Sequence, residues 1–373
     1  MRVGGRQVDP ALVTGYRPWL DGVRAVAVLL VAAQHTIGRT PVELGSVGVG
    51  LFFALSGYLI TSLLLDEQLL SGAVSLSRFY LRRAARLVPA LVLVVVVCNV
   101  LFVIAGDHGP LKGSLAALTY TANYAEVLRG DFVRGYGPTW SLAVEEHFYV
   151  LWPLGLLWVT RRYGLHAALK ATLAICVAAL LWRGALAGLH TRHSLIAIGS
   201  VERADSLLYG CAAAIAVRLG WRPGRMIALA AAATVAIMPV ALRHDSYATL
   251  VLGNAALAVG GAAFVVALDY APVPWLRRAL SLRSLVTIGV LSYGIYLWHG
   301  PVMRIAADFG YEGRAWRATM VAVSILVAAA SHRFVEAPIR AWARRRGMAA
   351  GTAPAAASTA PIRAATAAAA AAD

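Results

Sequence analysis

Two ionisable residues stand eleven positions apart in an otherwise apolar run, LDGVRAVAVLLVAAQH: Arg24 and His35. Eleven residues of helix rise about 16 Å, and eleven steps of about 100° close nearly three turns, so both side chains share one face. A histidine can take a proton from a hydroxyl near neutral pH, which acyl transfer to an alcohol requires. The plainer alternative is a structural histidine hydrogen-bonded between helices. An ionisable group inside a membrane span costs roughly 2.5–3.5 kcal/mol on the insertion scale, which favours the functional reading.

Six further segments carry polar groups into apolar surroundings. In TWSLAVEEHFYVLWPL, Ser141, Glu145 and Tyr149 form one helical ridge, while Glu146 and His147 point elsewhere. Glu145 must be protonated, paired or open to water; it either orients His35, pairs with an arginine, or holds helices in register. In RFYLRRAARLVPAL, Arg78, Arg82, Arg83 and Arg86 occupy neighbouring ridges. Guanidiniums so placed suit phosphates, and equally suit topology determination and contact with anionic lipid. In GVGLFFALSGYLIT, the glycines and Ser56 read first as helix packing. LSYGIYLWHGPV sets Tyr296 and His299 one turn apart, either lining a polar pocket or forming an interfacial aromatic cluster. Arg203 and Asp205 in VERADSLLYG, and Glu336 in SHRFVEAPIR, repeat the theme.

The elements that position these residues follow from composition. Of 373 residues, 60% are hydrophobic and 14% charged, with mean hydropathy +0.68; a soluble domain is about a quarter charged. The solvent is lipid. Ten segments approach the roughly 20 apolar residues a spanning helix needs, near 22–38, 46–65, 87–105, 140–160, 170–188, 204–217, 226–242, 247–268, 284–303 and 318–335. The expected fold is all-α, a polytopic membrane bundle of about ten transmembrane helices. Residues 111–128 read as an interfacial or re-entrant piece. The net charge of +16 needs no nucleic acid: with ten crossings, about two thirds of the basic residues fall in loops on the side of both termini, which is then the cytoplasm. The expected domains are an N-terminal cytoplasmic tail (1–15), the membrane domain (16–342) and an Ala-rich disordered tail (343–373). Cys98, Cys176 and Cys211 lie in apolar runs with no metal or disulfide spacing.

Taken in order, LDGVRAVAVLLVAAQH, GVGLFFALSGYLIT, FYLRRAARLVPAL, TWSLAVEEHFYVLWPL, SYGIYLWHGPV and FVEAPIR resemble the motifs of acyltransferase family 3, integral-membrane acyltransferases, over about residues 16–342. The resemblance implies a ten-helix domain in the cell membrane. It would transfer an acyl group, commonly acetyl from acetyl-CoA, to a hydroxyl of a sugar, cell-envelope glycan or macrolide. It maps the family's Arg-x10-His pair onto Arg24 and His35. Its Arg-x-x-Arg motif falls on Arg83 and Arg86, with Arg82 adjacent, for acyl-CoA, and its Trp-Ser-Leu-x-x-Glu motif on Trp140, Ser141, Leu142 and Glu145. Two positions depart from the pattern: Gly50 stands where many members have an acidic residue, and His147 where many have Gln.

The expectation is therefore an O-acyltransferase with His35 as general base or acyl carrier, Arg24 and Glu145 beside it, and donor phosphates on Arg82, Arg83 and Arg86. Ser56, Trp140, Ser141, Tyr296 and His299 are pocket candidates, and Arg24, Ser141 and Tyr296 are unranked candidates for the oxyanion donor. No tightly bound cofactor and no metal are expected; acyl-CoA serves as co-substrate, a hydroxylated glycan or small molecule as acceptor. The rivals are a transporter or sensor with a buried Arg/His/Glu path, and an enzyme using a lipid-linked or protein-bound acyl donor.

Overall fold

The computed structural model describes residues 2–3, 6–7 and 16–349, apart from 39–41, 108, 131–132, 134, 243–245 and 312. Helix α1 (Pro18–Ile37) opens on a proline, whose fixed φ suits a first turn, and stops at Gly38 with φ 78°. It is followed by α2 (Leu44–Ser71), α3 (Leu76–Ile104) and the short α4 (Pro110–Leu118) and α5 (Ala122–Arg129). The last two cover the stretch expected to be interfacial or re-entrant. Next come α6 (Thr139–Gly188), α7 (His193–Ile198), α8 (Ala204–Arg218) and α9 (Arg225–Ala241). A π-helical turn, Thr249–Gly253, leads into α10 (Asn254–Tyr270), and then α11 (Pro274–Leu280), α12 (Arg283–Asp308) and α13 (Arg314–Ser331) follow. A second π-helical turn, His332–Glu336, joins α13 to α14 (Ala337–Ala349). Among the described residues the only strand pairing joins Arg2–Val3 to Arg6–Gln7.

Every predicted span falls on a helix, yet among the described residues seven helices rather than ten are both long and apolar enough to cross a membrane. Three segments account for the difference. The 50 residues of α6 hold two of the predicted spans, separated at Gly164, whose φ of 80° breaks the helix in two. The other two are α8, with 15 residues, and α9, with 17. The start of the expected C-terminal tail, 343–349, continues α14; the rest of that tail and most of 1–15 lie outside the described residues.

The centre of the bundle is α2, packed on α1, α8 and α10, with α12 against the opposite side of α1. Small residues permit this closeness, as membrane helices require. A Cβ at Gly57 would overlap the Leu207 carbonyl, and one at Gly210 the Ala54 carbonyl, so α2 and α8 touch backbone to backbone through reciprocal glycines. Large apolar side chains such as Leu151, Leu181, Val240 and Leu326 point outward. The polar groups are turned inward, and two networks pin the helices together. Asp269 of α10 accepts from Trp19 (2.8 Å), Tyr58 (2.7 Å) and Arg17, tying α1 and α2 to α10. Arg183 in the second half of α6 is bidentate on Asp205 of α8 (2.6 and 2.8 Å), with both side chains wholly buried.

Candidate active site

The side chains singled out in sequence gather along one column through the bundle, from the Arg17 end of α1 towards its His35 end. At the lower end Arg24 donates to Asp21 (2.8 Å), whose other oxygen accepts from Tyr16 (2.9 Å). Arg86, on α3, lies within electrostatic reach of Arg24, Arg83 and Arg340. Its side chain is exposed and makes no hydrogen bond or ion pair with any described residue.

The three arginines expected to act together do not share one surface. Arg82 points outward to Glu67 at 3.4 Å, with 45% of its side chain exposed. Arg83 points inward: it grips Glu146 (2.6 Å), approaches Glu145 (4.0 Å) and lies 3.0 Å above the Tyr149 ring. Only Arg86 is left with its donors free, and its companions are Arg24 and Arg340. Arg340, from α14, stacks its guanidinium on His332 (2.9 and 3.1 Å) and approaches Glu336 at 4.0 Å. The sequence reading missed Arg340, and missed Glu146 as the main partner of Arg83, because spacing along α6 alone turned Glu146 away from the ridge.

One level further, Ser56 of α2 donates to Glu145 (3.1 Å), so this serine does more than permit packing. Glu145 belongs to the arginine level and makes no contact with His35. Beyond it, Tyr296 of α12 donates to the Pro138 carbonyl (2.9 Å) and accepts from Ser141 (2.7 Å). Phe52 packs edge-on against Tyr296 at 6.1 Å, and Trp140 stands perpendicular to Phe53 at 6.2 Å.

The column ends at two imidazoles. The His35 and His299 rings meet edge to face with centroids 4.8 Å apart. Nδ1 of His35 lies 2.9 Å from the Val31 carbonyl, and Nδ1 of His299 lies 2.6 Å from the Tyr296 carbonyl. A carbonyl only accepts, so in each ring Nδ1 carries the proton and Nε2 presents a lone pair. His299 is 1% exposed and its Nε2 has no partner, whereas His35 is exposed. His35 is therefore oriented by main chain one turn below it. The position that would have carried an acidic orienter, Gly50, has no room for one: a Cβ there would stand 2.6 Å from Cδ2 of the buried Leu257.

His147, the other departure from the family pattern, sits apart from the column. Its Nδ1 is 2.7 Å from the Ser200 hydroxyl, and its ring stacks on Tyr124. Asn123 also donates to Ser200 (2.9 Å) and to the Ile198 carbonyl (3.2 Å). Neither Asn123 nor Arg183 was singled out in sequence, although an arginine inside the apolar run ALLWRGAL is a visible signal. Among the described residues no group of three or more His, Cys, Asp or Glu is placed to hold a metal ion.

Comparison with known proteins bears on what this column does. The model of the acyltransferase domain family matches residues 17–332. The peptidoglycan O-acetyltransferase OatA of Listeria monocytogenes is 32% identical over 359 residues, 87% of this chain and 56% of that protein. The O-acetyltransferase OatA of Staphylococcus aureus is 27% identical over 353 residues, 87% of this chain and 57% of that protein. The chain thus spans a little over half the length of the curated relatives it matches. No solved structure matches it.

Proposed function

Because this chain belongs to the acyltransferase domain family, we propose that it is an O-acyltransferase that moves an acetyl group from acetyl-CoA to a hydroxyl of a cell-envelope glycan. The observation that carries this reading is the state of His35: exposed, beside His299, with Nδ1 pinned to a carbonyl and Nε2 free to accept a proton. The acceptor class is supported by the relative that acts on peptidoglycan. The donor is supported by Arg86, whose open guanidinium beside Arg24 and Arg340 suits a phosphate.

In this reading the donor's phosphates rest on Arg86, and its flexible arm spans the roughly 16 Å of α1 between Arg24 and His35. His35 Nε2 removes the proton of the acceptor hydroxyl as its oxygen attacks the thioester carbon. The tetrahedral oxyanion collapses, the carbon–sulfur bond breaks, and the departing sulfur takes the proton from His35, which returns to its neutral form. Ser56, with Arg83 close by, holds Glu145 in the wall, away from the base. His299 packs its ring against His35 and keeps it facing the opening. Removing such a base costs typically 10²–10⁴-fold in rate.

The proposed topology is ten crossings, obtained by counting both halves of α6 and the shorter α8 and α9, with both termini on the cytoplasmic side where the arginine-rich loops cluster. The proposed domain division is the membrane unit at 16–342 between two tails.

The test is thiol release from acetyl-CoA by the purified chain in nanodiscs, with and without peptidoglycan fragments. Acceptor-dependent thiol release together with acetylated glycan is the expected result. Turnover unchanged in His35→Ala would overturn the mechanism, and transfer from a lipid-linked donor but not from acetyl-CoA would overturn the choice of donor.

A further inference from the structure

At the start of α8 the bundle buries two arginines but neutralises only one. Arg183 has its terminal nitrogens on both oxygens of Asp205 and on the carbonyls of Glu202 (2.9 Å) and Val251 (3.3 Å). Arg203, 3% exposed, has no hydrogen bond or ion pair through its guanidinium with any described residue, and its Nε is buried without a partner. Its guanidinium carbon stands 5.8 Å over the Phe53 ring. Asp205 is the carboxylate that acts on it electrostatically, and Arg183 already holds both of that residue's oxygens. The other buried carboxylate nearby, Glu202, accepts from Trp182 at 3.0 Å. Neither carboxylate is bonded to Arg203. A guanidinium removed from water without an anion is among the costliest groups a fold can bury, and a purely structural role would be filled equally well by an apolar residue.

A second unsatisfied group, on α5, packs against the segment leading to Arg203. The amide of Asn123 is turned so that its nitrogen faces the Ile198 carbonyl, which leaves Oδ1, fully buried, with no donor. Placement relates both groups to the catalytic column. Phe53 has Arg203 near its ring and Trp140 perpendicular to it. Phe53 precedes Ser56 by about one turn on α2, and Trp140 precedes Glu145 by more than one turn on α6. Arg203 is therefore displaced from the Ser56–Glu145 level towards the histidine end, away from the Arg86 cluster.

We propose that Arg203 is the anion-binding residue of the acceptor subsite. It takes a carboxylate or phosphate carried by the sugar that is acylated, while Asn123 Oδ1 accepts from a neighbouring hydroxyl and Trp140 offers its partly exposed ring to the sugar face. The inference rests on the acyl-transfer reading and deepens it: the donor's phosphates have their own unpaired arginine in Arg86, so a second, separate one serves the acceptor. The acceptor is then an acidic or phosphorylated glycan rather than a neutral one.

The test is direct binding to the purified full chain in nanodiscs of three sugars that share one ring: N-acetylmuramic acid, N-acetylglucosamine 1-phosphate and neutral N-acetylglucosamine. At least one anionic sugar should bind tenfold or more tightly than the neutral one, and which one does identifies carboxylate or phosphate as the ligand. Arg203→Gln should erase the preference, and Arg203→Lys, which keeps the charge without the fork, should retain part of it. Equal binding of all three sugars to the wild type overturns the proposal, as does a preference that survives in Arg203→Gln. Should the Gln variant fail to fold, the wild-type comparison and the Lys variant still decide it, since a Lys variant with an undiminished preference also counts against the fork. Anionic-sugar binding without any thioester consumption would overturn the transfer reading and leave this site standing. Acetyl transfer to neutral and anionic sugars with equal efficiency would do the reverse.

Discussion

Replacing Asp205 by Asn tests how far the bundle relies on charge in its interior. Both side chains of the Arg183–Asp205 pair are 0% exposed, and two bonds of 2.6 and 2.8 Å join them. The asparagine keeps one acceptor but turns an NH₂ towards a guanidinium and removes the only charge that neutralises it. Two carbonyl contacts, at 2.9 and 3.3 Å, remain. Breaking one side of a buried pair costs about 3–5 kcal/mol, at least about a fifth of a typical domain's stability of about 5–15 kcal/mol. At about 2 °C or more per kcal/mol, Asp205→Asn should melt roughly 6–10 °C below wild type in detergent. The companion Arg183→Met should still destabilise but by less, because Arg203 lies within electrostatic reach of the carboxylate it frees. The double variant Arg183→Met with Asp205→Leu removes the pair and should recover most of the loss, falling short of wild type by what Asp205 contributes to Arg203. Because the pair is sealed from solvent, none of these differences should change between low and high salt. Single variants costing under about 1 kcal/mol, or a double variant that loses their sum, would refute the reasoning.

Three further outcomes follow from the site. His35→Ala should lower turnover by about 10²–10⁴-fold while acetyl-CoA still protects the protein against thermal unfolding; loss of both would point to a folding role instead. Arg86→Gln should raise KM for acetyl-CoA by about tenfold, the worth of roughly 1.4 kcal/mol, whereas Arg82→Gln should change it less than about twofold, as expected for an exposed ion pair; steady-state kinetics on the two variants separates them, and equal effects would restore the arginines to one cluster. Gly50→Ala should cost about 1–3 kcal/mol by overpacking against Leu257 and should be partly rescued by Leu257→Ala, measured by thermal unfolding of the single and double variants; strict additivity would mean the two positions do not meet.

The helical class and the placement of nearly every element were legible, because lipid leaves apolar length as a strong signal. Helix length and apolarity recover seven of the ten spans among the described residues, since the apolar stretch at 204–217 folds as a short helix buried within the bundle and Gly164 joins two segments without a loop. Arg24, His35, Ser141, Glu145, Tyr296 and His299 were each visible as polar groups where polar groups are costly, and the structure places them along one column. What spacing did not yield was pairing. The ridge of Arg82, Arg83 and Arg86 looks uniform along a helix, but Glu67 and Glu146, from other elements, decide which arginine is left free. Likewise the partner of Asp269 is Arg17, 252 residues away, and nothing local in either segment announces it.

The orienter of His35 is a peptide carbonyl, and this shapes what genetics can find. A carboxylate that fixes a histidine is exposed to selection and to mutagenesis: it can be lost, replaced or discovered by scanning. The Val31 carbonyl is present whatever side chain Val31 bears, so long as α1 stays helical. An alanine scan would therefore find no side chain that accepts from His35 Nδ1 and invite the conclusion that this nitrogen has no partner. The informative substitution is a backbone one, such as an ester at the Val31–Ala32 linkage, which weakens the acceptor while leaving every side chain in place.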